Sequence, residues 1–137
     1  MALETAIATA NADLGSLGYL TTPGLRGKLK TTDKTSGYGQ FLWTDGEPGA
    51  GLLNGYKALT STQVPSNLTK GTGTNLHPII FGNWSDMLIN HWGAADLLVD
   101  PYTGSAAGTT RVRILQEVDI IIRNVASFAA IVDAIAV

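Results

Sequence analysis

The sequence predicts an α+β fold, and three observations along the chain carry that prediction. Apolar residues recur at steps of four, three and four between Leu3 and Leu14, which places them on one face of a helix. Short β-favouring segments, separated by glycine and proline, occupy the middle of the chain. Alternate residues between Arg111 and Arg123 are mostly apolar, and this period of two predicts a long strand with one buried face.

The composition is that of one domain with little surface charge. The chain has 137 residues, with 9 basic and 11 acidic side chains and a formal net charge of −2. That balance argues against a protein that binds nucleic acid mainly by charge. The absence of cysteine excludes disulfides and thiolate metal sites. Charged residues make up 15% of the chain, against about 25% in a typical domain, which predicts a surface that meets another chain.

The first predicted elements are a helix, a strand and a second helix. The opening helix is alanine-rich and is expected to end at Gly15. A strand over residues 17–21 follows, and Pro23 can open a short helix over residues 24–30. A helix that begins this early predicts that the chain is a piece of a longer protein.

The middle of the chain is predicted to be two strands set in long loops. Residues 33–76 hold eight of the 16 glycines, with β-favouring segments at 40–44 and 56–64. The elements predicted after this region are a buried strand at residues 79–81, a short helix over 86–91 capped by Asn83 or Ser85, and a strand over 96–102.

The strand over residues 111–123 is the strongest local pattern. Its even-numbered apolar residues are Val112, Ile114, Val118, Ile120 and Ile122. At about 3.3 Å per residue it would span roughly 40 Å, so we expect it to extend past one compact core into a second structural region. For residues 125–137 the pattern allows either a further strand or a terminal helix.

The sequence predicts no catalytic, cofactor-binding or metal-binding residue. His77 and His91 are the only histidines, and their spacing matches no common zinc pattern. No Gly-x-Ser-x-Gly nucleophile elbow is present. No stretch of about 18 nearly uninterrupted apolar residues predicts a membrane span.

Four of the nine basic residues fall within nine positions. Three interpretations stay open for this group: contact with the phosphates of a nucleic acid, a solvated helix face, or contact with a neighbouring subunit's acidic surface. The candidate contact residues are Arg26, Lys28, Lys30 and Lys34.

Three segments, in this order, resemble the carboxy-terminal half of tailed-phage major capsid proteins with the Hong Kong 97-type shell fold. The first is the opening helix with the Leu-Gly-Tyr-Leu-Thr-Thr-Pro sequence at residues 17–23. The second is Pro-Ile-Ile-Phe-Gly-Asn-Trp-Ser-Asp at residues 78–86, followed by residues 95–102. The third is residues 111–132, with Glu-Val-Asp at 117–119 and Ala-Ser-Phe-Ala at 126–129.

The resemblance implies an architecture for the whole chain. It implies a mixed β-sheet flanked by helices, the axial domain of that fold, plus a long β-hairpin that is a remnant of the peripheral domain. We expect a single domain over residues 1–137, with the axial part at about 1–95 and 123–137 and the hairpin at about 96–122. The loops of residues 33–76 would then gather around the centres of pentamers and hexamers.

The resemblance also implies a function. It predicts a structural subunit of an icosahedral phage or prophage capsid, not an enzyme, made in the bacterial cytoplasm and located in the virion. Its partners would be copies of itself, with packaged DNA as a candidate partner at the inner face, and no cofactor or membrane is expected. The family's arm, extended loop and spine helix precede the opening helix and have no match here, so we expect a fragment that is monomeric or weakly oligomeric. No crosslinking residue is carried over.

Two alternative functions stay open. One is an encapsulin-like nanocompartment shell protein of bacteria, which shares the fold implied by the resemblance. The other is a small hydrolase that uses His91 with Asp86 or Asp96, which no accompanying nucleophile motif supports.

Overall fold

The computed structural model describes residues 2–37, 39–46 and 50–136. The chain divides into two compact units: unit 1 comprises Met1–Asp86 with Asn124–Val137, and unit 2 comprises Met87–Arg123. Parts of the predicted loop region, residues 38 and 47–49, lie outside the described residues, as does the last residue of the 125–137 segment. The assignment of axial and peripheral domains stays a prediction.

Unit 1 begins with two short helices, α1 (Ala2–Thr9) and α2 (Pro23–Thr31). The prediction that the first helix continues to Leu14 is wrong, since α1 ends at Thr9 and Leu14 is 74% exposed. The helix ends because Asn11 adopts a left-handed backbone conformation, with φ of 53°, a common way for a helix to stop. The second helix follows Pro23 as predicted.

The sheet of unit 1 has seven strands in the order β2-β3-β4-β1-β6-β5, with β9 also paired to β6. The β1 and β4 strands run parallel and the other neighbours antiparallel, so the predicted mixed sheet is confirmed. The strands are β1 (Leu17–Thr21), β2 (Trp43–Asp45), β3 (Ala50–Leu53), β4 (Tyr56–Thr60), β5 (Leu68–Lys70), β6 (Gly73–Asn83) and β9 (Phe128–Ala134).

The core of unit 1 lies where α1 packs on the sheet. Ile7 of α1 is 1% exposed, and Phe81 of β6 is equally buried. The Phe81 ring lies 4.4 Å from that of Tyr19 and 5.1 Å from that of Tyr56, measured between centroids. These aromatic contacts join β6, β1 and β4 into one apolar cluster.

Three features of the sheet differ from the sequence prediction or decide between its alternatives. The β3 strand was not predicted; it turns into β4 through Asn54 and Gly55, whose φ angles of 55° and 90° suit a tight hairpin. The short β5 strand was also missed. Residues 125–134 form a 3₁₀ turn (Val125–Ser127) and then β9, so for these residues the strand alternative holds.

Unit 2 is a long antiparallel hairpin of β7 (Met87–Asp100) and β8 (Arg111–Ile122), joined by a loop with a 3₁₀ turn at Ser105–Ala107. The predicted helix over residues 86–91 is wrong. Trp84–Asp86 forms one 3₁₀ turn, and from Met87 to Trp92 each residue pairs with β8. The segment after the cap has bulky and β-branched side chains that favour a strand, and ladder pairing overrides the local capping signal.

The prediction of a buried face on β8 is also wrong. The strand itself is present, but every residue from Arg111 to Ile122 is exposed, and Ile114 is 69% exposed. Apolar and polar residues do alternate along β8, but in the described chain no second layer covers the apolar side of the hairpin. The period of two therefore predicts which side is apolar, while burial depends on what packs there.

Candidate interaction surfaces

Helix α2 carries three of the four predicted contact residues. The Thr22 hydroxyl caps the helix by accepting a hydrogen bond from the N–H of Leu25 at 3.3 Å, and Pro23 occupies the first turn. Leu25 is 2% exposed and fixes the face that the helix turns to the core. The positions of the basic side chains follow from that orientation.

The basic residues of α2 divide between two faces. Arg26 and Lys30 are four residues apart and share a face, whereas Lys28 lies two residues from each, on the opposite side. Lys30 forms an ion pair with Asp45 at the end of β2. Lys28 is exposed and Arg26 is half-buried. The structure therefore does not join these three cations into one continuous patch.

Lys34 lies beyond the end of α2, in a loop closed on itself. Its backbone N–H donates to the carbonyl of Gln40 at 2.6 Å, beside a β-bridge between Asp33 and Phe41. Lys34 and Asp45 border the same open depression of about 580 Å³. That Arg26, Lys28, Lys30 and Lys34 contact nucleic acid or another subunit stays a prediction.

One face of the β7–β8 hairpin is almost entirely apolar; we call it the apolar face. Residues directly opposite in an antiparallel ladder share a face, so the even-numbered residues of β8 and their β7 partners lie together. The polar residues on this face are Gln116 and His91, and Gln116 Nε2 lies 3.2 Å from His91 Nδ1. Its apolar members are Met87, Ile89, Leu97, Val99, Val112, Ile114, Val118, Ile120 and Ile122.

The opposite face of the hairpin carries the charges; we call it the charged face. Along β8 it presents Arg111 and Arg113 first, and then Glu117 and Asp119. Asp100 lies opposite Arg111, and its carboxylate accepts hydrogen bonds from the backbone of the following turn. The Thr103 hydroxyl also donates to this carboxylate, and this bond, with the two backbone bonds, lowers the pKa of Asp100 below its ordinary value.

The two histidines have separate structural surroundings. His77 Nδ1 lies 2.7 Å from the hydroxyl of Thr22, the residue that caps α2. His91 lies on the apolar face, opposite Val118, whereas Asp96 pairs with Leu115 on the charged face. His91 and Asp96 therefore point to opposite sides of the hairpin and do not form an acid–base pair. This geometry gives no support to a hydrolase.

A buried polar cluster that sequence reasoning missed lies where the chain leaves and re-enters unit 1. The Asp86 carboxylate, on a residue 4% exposed, accepts hydrogen bonds from Asn83 Nδ2 at 3.1 Å and from the Ser127 hydroxyl at 2.5 Å. Asn83 Oδ1 accepts from the N–H groups of Ser16 and Ser85. The run of Asn, Ser and Asp at residues 83–86 is the signal that could have indicated such a turn.

A second polar cluster joins α1 to the sheet. Asn54 Nδ2 donates to both carboxylate oxygens of Glu4, at 2.8 and 2.9 Å, and the Tyr19 hydroxyl also donates to that carboxylate. Burial raises the pKa of the Tyr19 phenol above its ordinary value, and the hydrogen bond to Glu4 raises it further. The cluster holds the amino-terminal helix against β1 and the β3–β4 turn.

Neither a metal cluster nor a membrane span is found in the described ranges. Across residues 2–37, 39–46 and 50–136, no three His, Asp or Glu side chains are grouped as a metal site would need. Within the same part of the chain, no helix has the length and apolar character required to cross a bilayer.

Comparison with known proteins identifies a family and a relative. The model of the phage capsid family matches residues 2–133. The major capsid protein of Halomonas phage phiHAP-1 is 35% identical over 127 residues, which cover 93% of this chain and 19% of that relative. The chain thus spans about a fifth of the length of the curated relative that it matches.

Proposed function

This chain belongs to the phage capsid family, and from that premise we propose that it is part of a major capsid protein, a structural subunit of a phage or prophage shell located in the virion. The observation that carries the proposal is the family match, which extends over residues 2–133 and so includes both units. A shell protein of bacterial nanocompartments is not favoured, because the curated relative is a phage capsid protein.

The fold supports a finer assignment. We assign the mixed sheet with α1 and α2 to the axial domain of the Hong Kong 97-type fold. We assign the β7–β8 hairpin to its peripheral domain; this hairpin starts at Met87 and not at about residue 96 as expected from the sequence. Fourteen large apolar side chains between Leu88 and Ile122 are at least 37% exposed, which an isolated domain rarely tolerates. A hairpin that is completed by the rest of a longer shell subunit accounts for that exposure.

Assembly would follow from two unlike surfaces on each copy. One side of a subunit docks on a different side of the next, and such head-to-tail contacts close into rings when the rotation fits, here pentamers and hexamers. The small share of charged residues, 15%, suits surfaces that become buried between subunits. Synthesis of the protein in the bacterial cytoplasm is part of the same proposal.

Contact with packaged DNA is a further element of the proposal. The exposed side chains of Lys28 and Lys34 are its support, since each could meet a phosphate at the inner face of the shell. Lys30 is a weaker candidate because Asp45 already offsets its charge.

A non-catalytic role completes the proposed function. His91 and Asp96 lie on opposite faces of the hairpin, and Asp86 is engaged by Asn83 and Ser127. If His91→Ala abolished turnover of an ester or phosphoester by the purified chain, this part of the proposal would be wrong.

The structural role is tested with particles purified from cells that carry the gene. Mass spectrometry should detect peptides from residues 2–133 as a major component of the particles, in constant ratio to the other shell proteins through a density gradient. A cytosolic enzyme of the same cells is the control and should be depleted. Peptides found in the cell extract while absent from every particle fraction would contradict the proposal.

A further inference from the structure

We infer that the free edge of β8 pairs with β8 of a second copy of this chain, antiparallel, about a twofold axis at Leu115. Among the residues that the structure describes, β8 pairs with β7 on one side only, in a two-stranded sheet. Its other edge runs uninterrupted over Arg111–Ile122, and all of these residues are exposed. A long, regular and apolar edge strand is a template for pairing with another chain.

The other edge of the hairpin is less suited to pairing. The β7 strand has a register shift between Trp92 and Asp96, and Gly93 has φ of 72°. Such a bulge bends a strand and interrupts the row of backbone groups that a partner strand would need. The charged side chains of β7 are Asp96 and Asp100, both acidic, so two β7 edges would repel each other. The β8 edge is therefore the one that favours a second copy.

The order of charges along β8 is self-complementary. Two basic residues precede Leu115 at distances of four and two residues, and two acidic residues follow it at the same distances. An antiparallel copy centred on Leu115 places Arg111 opposite Asp119 of the second copy, and Arg113 opposite Glu117 of the second copy. The twofold axis repeats both pairs, and all of them lie on the charged face.

No neighbouring register matches as well. An axis at Ile114 keeps one charge pair, Arg111 with Glu117, but places Arg113 opposite Leu115. An axis at Gln116 also keeps one, Arg113 with Asp119, but places Arg111 opposite Ile121, so each shift loses half of the charge pairs. An axis at Arg113 would put that cation against its own copy. On the apolar face the chosen register sets Val112 opposite Val118, a contact between two β-branched side chains.

This inference goes beyond the proposed function. The contact is isologous, with the same strand on both sides, so it joins two subunits and cannot by itself close a ring. The head-to-tail contacts proposed above use two different surfaces. A monomeric chain would overturn the β8 pairing and leave the particle experiment unaffected.

Cysteine crosslinking tests this register. The chain contains no cysteine of its own, so every disulfide formed comes from an introduced residue. The two thiols of Leu115→Cys would lie on the axis, with Cα atoms about 4.5–5.5 Å apart, within the span of a disulfide. Val112→Cys is the matched control, because its two thiols would be about 20 Å apart along the strands. We expect mild oxidation to give covalent dimers of the first variant and monomers of the second.

The charge pairing is tested by reversal, with the dimer constant measured by sedimentation equilibrium. Arg113→Glu and Glu117→Arg should each weaken association by about tenfold, because two attractive pairs become repulsive. The double variant restores both pairs in swapped form and should return to within a few-fold of the parent. Asp96→Arg, which changes the net charge as Glu117→Arg does but lies on β7, is the control and should have little effect.

Several outcomes would overturn the inference. They are a monomeric parent chain, equal crosslinking of Leu115→Cys and Val112→Cys, and a double variant no better than either single reversal. Protection of β8 from hydrogen exchange in the full-length protein, together with a monomeric 137-residue chain, would assign the edge to another segment of that protein and would also overturn it.

Discussion

At the scale of single residues, the packing around Gly82 leaves no room for a side chain. A Cβ built there would lie 2.2 Å from Phe128 Cδ1 on the paired strand, and the Phe128 ring packs edge-on against Trp84 at 5.4 Å. We expect Gly82→Ala to lower the free energy of unfolding by about 1–3 kcal/mol, the usual range for an overpacked core. Urea unfolding followed by tryptophan fluorescence measures the change.

The matched control is Gly27→Ala, in the interior of α2, where a Cβ would meet no atom within 4 Å. Alanine favours a helix over glycine by about 1 kcal/mol, so this variant should be as stable as the parent or more so. Equal midpoints for the two variants would contradict the packing around Gly82.

Tyr19 gives a prediction about alkaline pH. Because folding raises its pKa, the contribution of the phenol to stability is complete below its ordinary pKa of about 10 and is lost as the pH rises beyond that value. Tyr19→Phe removes the hydroxyl that donates to Glu4. The variant should lose about 1 kcal/mol at neutral pH and show a shallower decline in stability above pH 10.

Chemical unfolding at several alkaline pH values tests this expectation. Tyr102→Phe is the control, because Tyr102 is 84% exposed and its hydroxyl is not part of the core. A Tyr19→Phe variant whose stability falls with pH as steeply as that of the parent would contradict the account of Tyr19.

At the scale of elements, the buried cluster around Asp86 fixes the start of β9. Ser127→Ala removes the hydroxyl that donates a hydrogen bond to the buried Asp86 carboxylate. The loss of this donor should cost about 1–3 kcal/mol of stability. Ser105→Ala, in the exposed loop of the hairpin, should be neutral. Thermal unfolding compares the two, and a neutral Ser127→Ala would show that Asp86 does not depend on this donor.

The elements also show what sequence patterns can and cannot predict. Period-two alternation located β8 and its apolar side correctly, because that pattern belongs to the strand itself. It could not predict exposure, which depends on what packs against that side and not on the strand itself. The helix expected over residues 86–91 is absent for a related reason. Most of this segment pairs with β8, which is distant in sequence, and local capping residues do not encode such a contact.

The same limit applies to the candidate contact residues. Helical spacing alone separates Lys28 from Arg26 and Lys30, so their division between two faces could have been predicted. The ion pair of Lys30 with Asp45 could not, because it needs the position of β2 relative to α2. The buried cluster of Asn83, Asp86 and Ser127 likewise joins residues about 40 positions apart in sequence.

At the scale of the whole molecule, the division into two units predicts how the chain folds. The buried apolar cluster consists of residues in unit 1, and the described residues of unit 2 after Met87 are almost all exposed. Stability should therefore come from the sheet unit, because an isolated two-stranded hairpin is marginal in water.

Removal of the hairpin tests that division. Met87 pairs with Ile122, so the two ends lie one strand spacing apart, about 5 Å, and a short glycine-rich turn can join Asp86 to Asn124. The shortened chain should unfold in one cooperative transition, with a midpoint within a few degrees of the parent's and with less aggregation, because the exposed apolar face is gone. The same excision in a Ser127→Ala background should show a clearly lower midpoint, since the Asp86 cluster belongs to unit 1. A shortened chain without cooperative unfolding would show that the hairpin is required for the sheet unit to fold.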